Sequence, residues 1–120
     1  MVVKGVPIII LSFEPADNSF AGWLECEFRD VHGKAYRFWD KVEVVTIQNL
    51  DENSNFPVLE HLACEVLDEQ VYPGGRTICR IDPWLSCVEI SDSVSVFEVS
   101  KDALVSFDAE TTRTLQNRKR

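Results

Sequence analysis

Apolar and polar residues alternate with a period of two along much of this chain, which is the pattern of β-strands with one buried face. The alternation is clearest over residues 22–30 and 34–41, where Leu24, Phe28 and Phe38 fall on the same side. The residues between these two segments end in a glycine, which suits the positive φ of a tight turn. The pattern therefore predicts a β-hairpin here.

Six further segments carry apolar or β-branched runs bounded by turn residues, and we predict a strand in each: residues 6–14, 42–47, 58–68, 77–81, 85–90 and 94–99. The segment that begins at residue 58 is ambiguous, because its first six residues also fit one helical turn. Ser100 followed by Asp102 is typical of a helix N-terminus and predicts one short helix.

These seven to eight short strands, spaced at roughly 8–12 residues, favour a mainly β fold, either an antiparallel β-sandwich or a small barrel with at most one or two short helices. No long amphipathic helix alternates with the strands, which argues against a parallel α/β sheet. A chain of 120 residues fits one domain. We expect an acidic β-domain over residues 1–107 and a basic, flexible tail over residues 108–120, where apolar anchors become rare.

The charges are unevenly distributed along the chain. Residues 1–110 hold all 20 acidic residues and 8 of the 12 basic ones, a net charge of −12, whereas the last ten residues hold the other four basic residues and no acid. An acidic body repels phosphate and anionic lipid and attracts cationic partners. The composition therefore argues against binding to nucleic acid or membranes and favours a basic protein partner.

The chain shows no sign of a membrane span or an export signal. No run of about 18 apolar residues is present, and the apolar start reaches Glu14 without a cleavage-site pattern. The cysteines show no C-x-x-C spacing and lie in apolar or alternating runs, at Cys26, Cys64, Cys79 and Cys87. We interpret them as reduced, mostly buried thiols of a cytoplasmic protein.

Few residues are arranged for chemistry. His61 and Cys64 are the only neighbouring imidazole and thiol, and on a strand residues three apart face opposite sides. Glu25 and Glu27 share a strand face about 7 Å apart, which suits two-carboxylate glycoside hydrolysis but is more typical of a solvated face. The oxygen-rich stretch 51–55 lacks the spaced ligands of a calcium loop. The sequence thus predicts no catalytic residue, no cofactor and no metal site.

A more informative feature is an aromatic surface on the predicted hairpin. Trp23 and Trp39 fall on the same face as Glu25, Glu27 and Arg37. Large rings surrounded by charged groups are typical of protein-binding surfaces. The alternative is that a second sheet or a second copy of the chain covers the rings.

Four features of the sequence carry a resemblance: the stretch 22–26, the turn from Asp30 to Gly33, Phe38 with the later pair Lys41 and Val42, and the stretch 63–66. Through them, about half of the chain resembles small bacterial proteins of uncharacterised function. The resemblance implies a bacterial source and no mechanism, since it contains no catalytic signature.

We therefore expect a small acidic interaction protein, more specifically an immunity protein that neutralises a basic toxin by occluding its active site. The expected partner-binding residues are the two rings and four carboxylates, Trp23, Glu25, Glu27, Trp39, Asp51 and Glu52.

Two alternatives stay open. One is a β-barrel that binds a small molecule in an apolar pocket, with Tyr36, Arg80 or His61 as its polar groups. The other is a structural module whose exposed sheet pairs with a second copy to form a homodimer.

Overall fold

The computed structural model describes residues 1–17 and 20–118 as a single antiparallel sheet of six strands in the order β3-β2-β1-β4-β5-β6. The strands are β1 (Val2–Pro15), β2 (Gly22–Arg29), β3 (Ala35–Lys41), β4 (Val58–Val71), β5 (Thr77–Asp82) and β6 (Phe97–Ser100). Two short α-helices accompany them, α1 (Val42–Val45) and α2 (Ala109–Gln116), together with 3-10 turns at Pro83–Ser86 and Lys101–Ala103.

Strand β1 lies in the middle of the sheet and organises the core. It pairs with β2 on one side and with β4 on the other. Val6, Ile8 and Ile10 project from one face of β1 into the core, as alternation along a strand requires. We call this the inner face, and the opposite side, which carries Ile9, the outer face.

The predicted hairpin forms between β2 and β3 in regular register. The carboxylate of Asp30 accepts hydrogen bonds from the backbone N–H groups of His32 and Lys34, each at 2.9 Å. Gly33 adopts a φ of 81°, a conformation that a side chain disfavours. The turn residues of this hairpin therefore act as the sequence predicts.

The sheet curls into a half-barrel, so that its two edges approach each other at one end. The ring of Phe97 in β6 packs edge-on against Phe28 and Tyr36, with centroid separations of 5.1 Å to each. The backbone N–H of Val31, in the hairpin turn, donates to the carbonyl of Glu98 at 2.8 Å. One curled sheet thus encloses the core, where the sequence predicts either two packed sheets or a barrel of seven to eight strands.

The predicted strand count is wrong in two places. Residues 42–47 contain the helical turn α1 in place of the predicted strand, because this turn places Val42 and Val45, three residues apart, together in the core. Residues 85–90 form no strand either: Leu85 and Ser86 end the 3-10 turn that starts at Pro83, where Asp82 accepts a hydrogen bond from the N–H of Trp84 at 3.1 Å, and irregular backbone follows. Proline at the start of a turn and an aspartate cap favour helical geometry over a strand.

The structure also shows which elements form at residue 58 and after Ser100. The ambiguous segment from residue 58 is a strand, and it continues to Val71. The helix predicted after Ser100 is present as the 3-10 turn Lys101–Ala103, although the Ser100 side chain makes no capping hydrogen bond.

The segment predicted as a flexible tail contains helix α2. Asp108 caps this helix by accepting a hydrogen bond from the N–H of Thr111 at 2.7 Å. Leu115 is buried with Val3 and Leu85 in a small cluster on the outer face of the sheet. One leucine therefore anchors this segment to the sheet, although the segment is mostly polar. Lys119 and Arg120 lie outside the described residues.

Candidate functional site

The hairpin brings four of the six predicted binding residues onto one surface. Trp23, Glu25, Glu27 and Trp39 all project from the outer face of β2 and β3, and Glu25 lies directly opposite Trp39 in the register. No second sheet covers the two rings among the described residues. The arrangement inferred from alternation is present, with the rings exposed.

Two aliphatic side chains, which sequence reasoning missed, extend this surface. Ile9 of β1 lies opposite both Glu27 and Leu59, the latter on β4. We call Ile9, Trp23, Trp39 and Leu59 the outer patch; their exposed fractions are 40%, 38%, 47% and 62%. The strict period of two places Ile9 on the outer face, but the continuous apolar run around it is also typical of a strand that is buried on both faces.

The outer patch contains a shallow depression next to its aliphatic residues. The depression has a volume of about 200 Å³ and is lined mainly by Pro7, Ile9 and Leu59, with Glu27 and Arg29 at its side. Its size suits one or two side chains of a partner more than a drug-sized ligand, which needs roughly 300–1,000 Å³.

Trp23 is held in place by local packing. The ring of Phe20 meets the Trp23 ring edge-on at a centroid distance of 5.0 Å. The ammonium group of Lys41 lies over the Phe20 ring, 4.8 Å from its centroid. Because these contacts restrict the indole before any partner arrives, less conformational entropy is lost on binding.

The carboxylates on this surface are paired with cations. The guanidinium of Arg37 contacts Glu27 at 3.1 Å and Glu25 at 3.5 Å, and Arg29 contacts Glu27 at 3.5 Å. Ser12 donates a further hydrogen bond to Glu25 at 3.1 Å. Glu25 and Glu27 are therefore half-buried and largely satisfied.

The outer face of β1–β3 is also balanced in formal charge. Glu14, Glu25 and Glu27 are matched by three cations on the same face of the neighbouring strand positions, Arg29, Arg37 and Lys41. The excess of acids over bases in the whole chain thus lies elsewhere, and this surface is apolar and neutral in character.

The other two predicted binding residues lie on a separate element. Asp51 and Glu52 are exposed in the loop after α1, and no described hydrogen bond or ion pair connects them to the outer patch. The Asp51 carboxylate accepts a hydrogen bond from the N–H of Asn53 at 2.8 Å, so it stabilises its own turn. Among the described residues, no group of three or more acidic, histidine or cysteine side chains could hold a metal ion.

The thiol and imidazole considered for nucleophilic chemistry are on opposite faces of β4. Cys64 is buried in the core, where its Sγ donates to the carbonyl of Lys4 at 3.3 Å, whereas His61 lies on the outer face. Burial raises the pKa of the Cys64 thiol to about 12. This pair therefore supplies neither a thiolate nor an adjacent base.

The polar groups considered for a small-molecule pocket do not converge. Tyr36 packs against Phe97 inside the half-barrel, at a centroid distance of 5.1 Å. Arg80 is exposed on β5 and donates to Asp68 at 2.9 Å. His61 lies on the outer face of β4, paired in register with Pro7.

Comparison with known proteins finds no matching family model, curated protein or solved structure. Within the part of the chain that the structure describes, no helix is long and apolar enough to cross a membrane.

Proposed function

We propose that this domain is a protein-interaction module and that the outer patch is its contact surface. The observation that carries the proposal is the exposure of Ile9, Trp23, Trp39 and Leu59 on one face of four adjacent strands. Exposed large apolar side chains that cluster in this way mark interaction surfaces, whereas scattered ones need no explanation. Tryptophan is also among the residues that most often dominate binding free energy.

The neighbouring charges fit this role. Arg37, Glu25 and Glu27 satisfy one another at the edge of the rings, so a partner can cover them without leaving an unpaired buried charge. Binding free energy would then come mainly from burying the rings and aliphatic side chains, with a partner side chain seated in the depression beside Leu59.

Within this class we propose a bacterial immunity protein that acts in the cytoplasm and occludes the active site of a basic toxin domain. The net charge of −8 supports a cationic partner, because it accelerates the encounter between oppositely charged proteins. In this scheme the outer patch supplies affinity and the overall charge supplies the association rate. A neighbouring gene for a secreted protein with a variable C-terminal domain would support the toxin assignment.

The contact surface is tested by capturing partners from the native host and then measuring the affinity of the purified pair by calorimetry. Replacing Trp39 with alanine should weaken binding by about 2 kcal/mol, roughly 30-fold. Val71→Ser is the matched control, since Val71 is also exposed but lies at the far end of β4.

The proposal predicts that Trp39→Ala and Leu59→Ser each lose affinity while Val71→Ser does not. Equal affinity for all three variants would show that the outer patch is not the contact surface. The charge argument is tested separately: the association rate should fall with added salt, and a salt-independent rate would remove the support for a basic partner.

A further inference from the structure

The two edges of the sheet differ in how their backbone groups are used. At the β6 edge, the carbonyl of Glu98 accepts the N–H of Val31 at 2.8 Å, and the Glu98 carboxylate contacts the His32 ring at 3.0 Å. At the β3 edge, no backbone hydrogen bond from another described segment reaches residues 35–40. Strand β3 therefore presents a free edge, which is a template for pairing with another strand.

The register identifies which backbone groups point away from the sheet. The N–H of Asp30 donates to the carbonyl of Lys34 at 3.0 Å, and hydrogen-bonded and non-hydrogen-bonded pairs alternate from there along the hairpin. Tyr36, Phe38 and Asp40 thus use their backbone groups to pair with β2. The N–H and carbonyl groups of Ala35, Arg37 and Trp39 point to the free edge.

An open groove runs along this edge. It has a volume of about 550 Å³ and lies between residues 36–40 of β3 and residues 89–92 of the loop that covers the open side of the half-barrel. The groove leaves the unpaired backbone of β3 accessible to an incoming segment.

The groove is acidic. Asp40, Glu89 and Asp92 line it, and none of the three forms an ion pair within the described residues. Its one cationic lining residue, Arg37, already contacts Glu25 and Glu27. The Asp40 carboxylate accepts a hydrogen bond from the N–H of Lys41 at 2.8 Å. A segment lying in the groove would therefore meet three carboxylates whose charge no described cation pairs with.

We propose that the free edge of β3 binds an extended, cationic segment of a partner protein by strand addition. Backbone hydrogen bonds to Arg37 and Trp39 would provide the pairing, and charge would provide selectivity. Side chains alternate across a strand, so every second residue of the segment projects to the side of Asp40, Glu89 and Asp92. Lysine or arginine at alternate positions is the pattern that this edge recognises.

Charge also argues against a second copy of this chain as the occupant. Pairing of two β3 edges would bring two sets of the same three carboxylates together, and like charges placed in this way are destabilising. The site shares one residue with the outer patch, since it uses the backbone of Trp39 while the patch uses the Trp39 ring. Ile9, Trp23 and Leu59 take no part in the site, and its occupancy does not depend on the role proposed for the patch.

The proposal is tested with a capped synthetic peptide of about eight residues in which lysine alternates with valine. Binding is followed by calorimetry and by the backbone amide NMR signals, and those of Arg37 and Trp39 should shift. The same peptide N-methylated at its valines keeps its charge but cannot donate to β3, and it should bind about tenfold more weakly. A peptide with glutamate in place of lysine should not bind.

Protein variants distinguish the effect of the groove carboxylates on peptide binding from the effect of the overall charge of the protein. Glu89→Gln with Asp92→Asn should weaken lysine-peptide binding by about tenfold, whereas the matched pair Asp102→Asn with Glu110→Gln, on exposed residues outside the groove, should change it little. The Leu59→Ser variant should bind the peptide with unchanged affinity, because Leu59 belongs to the outer patch and not to the groove. A negative result for the groove can therefore be told apart from a negative result for the outer patch.

Three results would overturn the proposal. Undiminished binding of the N-methylated peptide would mean that charge alone holds it. Equal weakening by both pairs of variants would place the effect in the overall charge. Sedimentation of the unliganded protein as a dimer that the peptide dissociates would assign the edge to a second copy.

Discussion

At the scale of single residues, the four cysteines show how differently the same side chain behaves in different surroundings. Cys26, Cys64 and Cys79 are buried, and Cys87 is exposed at the end of a 3-10 turn with a φ of 60°. All four are free thiols in the structure. Burial raises the pKa of Cys26 and of Cys64 to about 12, and it also raises the pKa of Cys79.

These surroundings predict selective alkylation. With iodoacetamide near pH 8, the folded protein should gain one adduct, at Cys87, because the thiolate is the reacting form and the other thiols are buried. Intact mass should show the single adduct, and denaturant should allow four. A Cys87→Ser variant should gain none when folded; rapid adduct formation in that variant would contradict the burial of the other three.

Side-chain pairing is the part of the candidate site that the sequence could not reveal. Alternation places Trp23, Trp39, Glu25 and Glu27 on one face correctly, since the period of a strand is fixed by backbone geometry. It cannot show that Arg37 bridges both carboxylates, because the distances of 3.1 and 3.5 Å depend on rotamers and on the cross-strand register. The sequence therefore predicts which charged residues lie beside the rings but not that they pair with one another.

At the scale of elements, the local pattern of apolar and polar residues predicts a strand correctly where one face of that strand lies in the core. It predicts the wrong element where core packing overrides the intrinsic propensity of the residues. The hairpin follows its alternation closely. The β-branched residues of α1 favour a strand intrinsically, yet a helical turn buries Val42 and Val45 together. Nothing in the residues from 42 to 47 alone reveals the core position that they fill.

Helix α2 yields a prediction of its own. Leu115→Ala should lower the free energy of unfolding by about 2 kcal/mol, because Leu115 packs against Val3 and Leu85 and its removal leaves a cavity. Urea denaturation measures the change. Thr114→Ala, on the exposed side of the same helix, is the control and should stay within about 0.5 kcal/mol of the parent. Equal stability of the two variants would mean that α2 does not contribute to the fold.

At the scale of the whole molecule, one curled sheet encloses the core and exposes two different surfaces. The outer patch is apolar and balanced in charge, and the groove at β3 is acidic. The sequence shows the excess of acids clearly, but their distribution depends on long-range register, such as the pairing of β1 with β4. Register between distant strands is not encoded in any local pattern, which is why strand order and the groove could not be predicted.

The buried thiols give the molecule a specific response to alkaline pH. An unfolded cysteine ionises near its ordinary pKa of 9.0, whereas Cys26 and Cys64 in the folded state ionise near 12. Between these values the folded state binds more protons than the unfolded state, so stability falls as pH rises. The contribution is complete below pH 9.0 and is lost progressively toward about pH 12.

Urea denaturation between about pH 8 and pH 10 should therefore show declining stability, with a slope of up to about 1.4 kcal/mol per pH unit for each thiol. Lysine and tyrosine also titrate in this range, so the comparison is with the double variant Cys26→Ala and Cys64→Ala. The double variant should show a shallower decline. Identical slopes would mean that the two thiols do not contribute.

The central position of β1 determines when the chain can fold during its synthesis. β1 is made before all of its partners, and its pairing with β4 extends to residues as distant as Val2 and Val66. Until β4 has emerged from the ribosome, one edge of the most apolar strand in the chain has no partner, and unpaired apolar strands are prone to aggregate. Chaperone binding to the nascent chain should be strongest in this interval and should end once β4 pairs with β1.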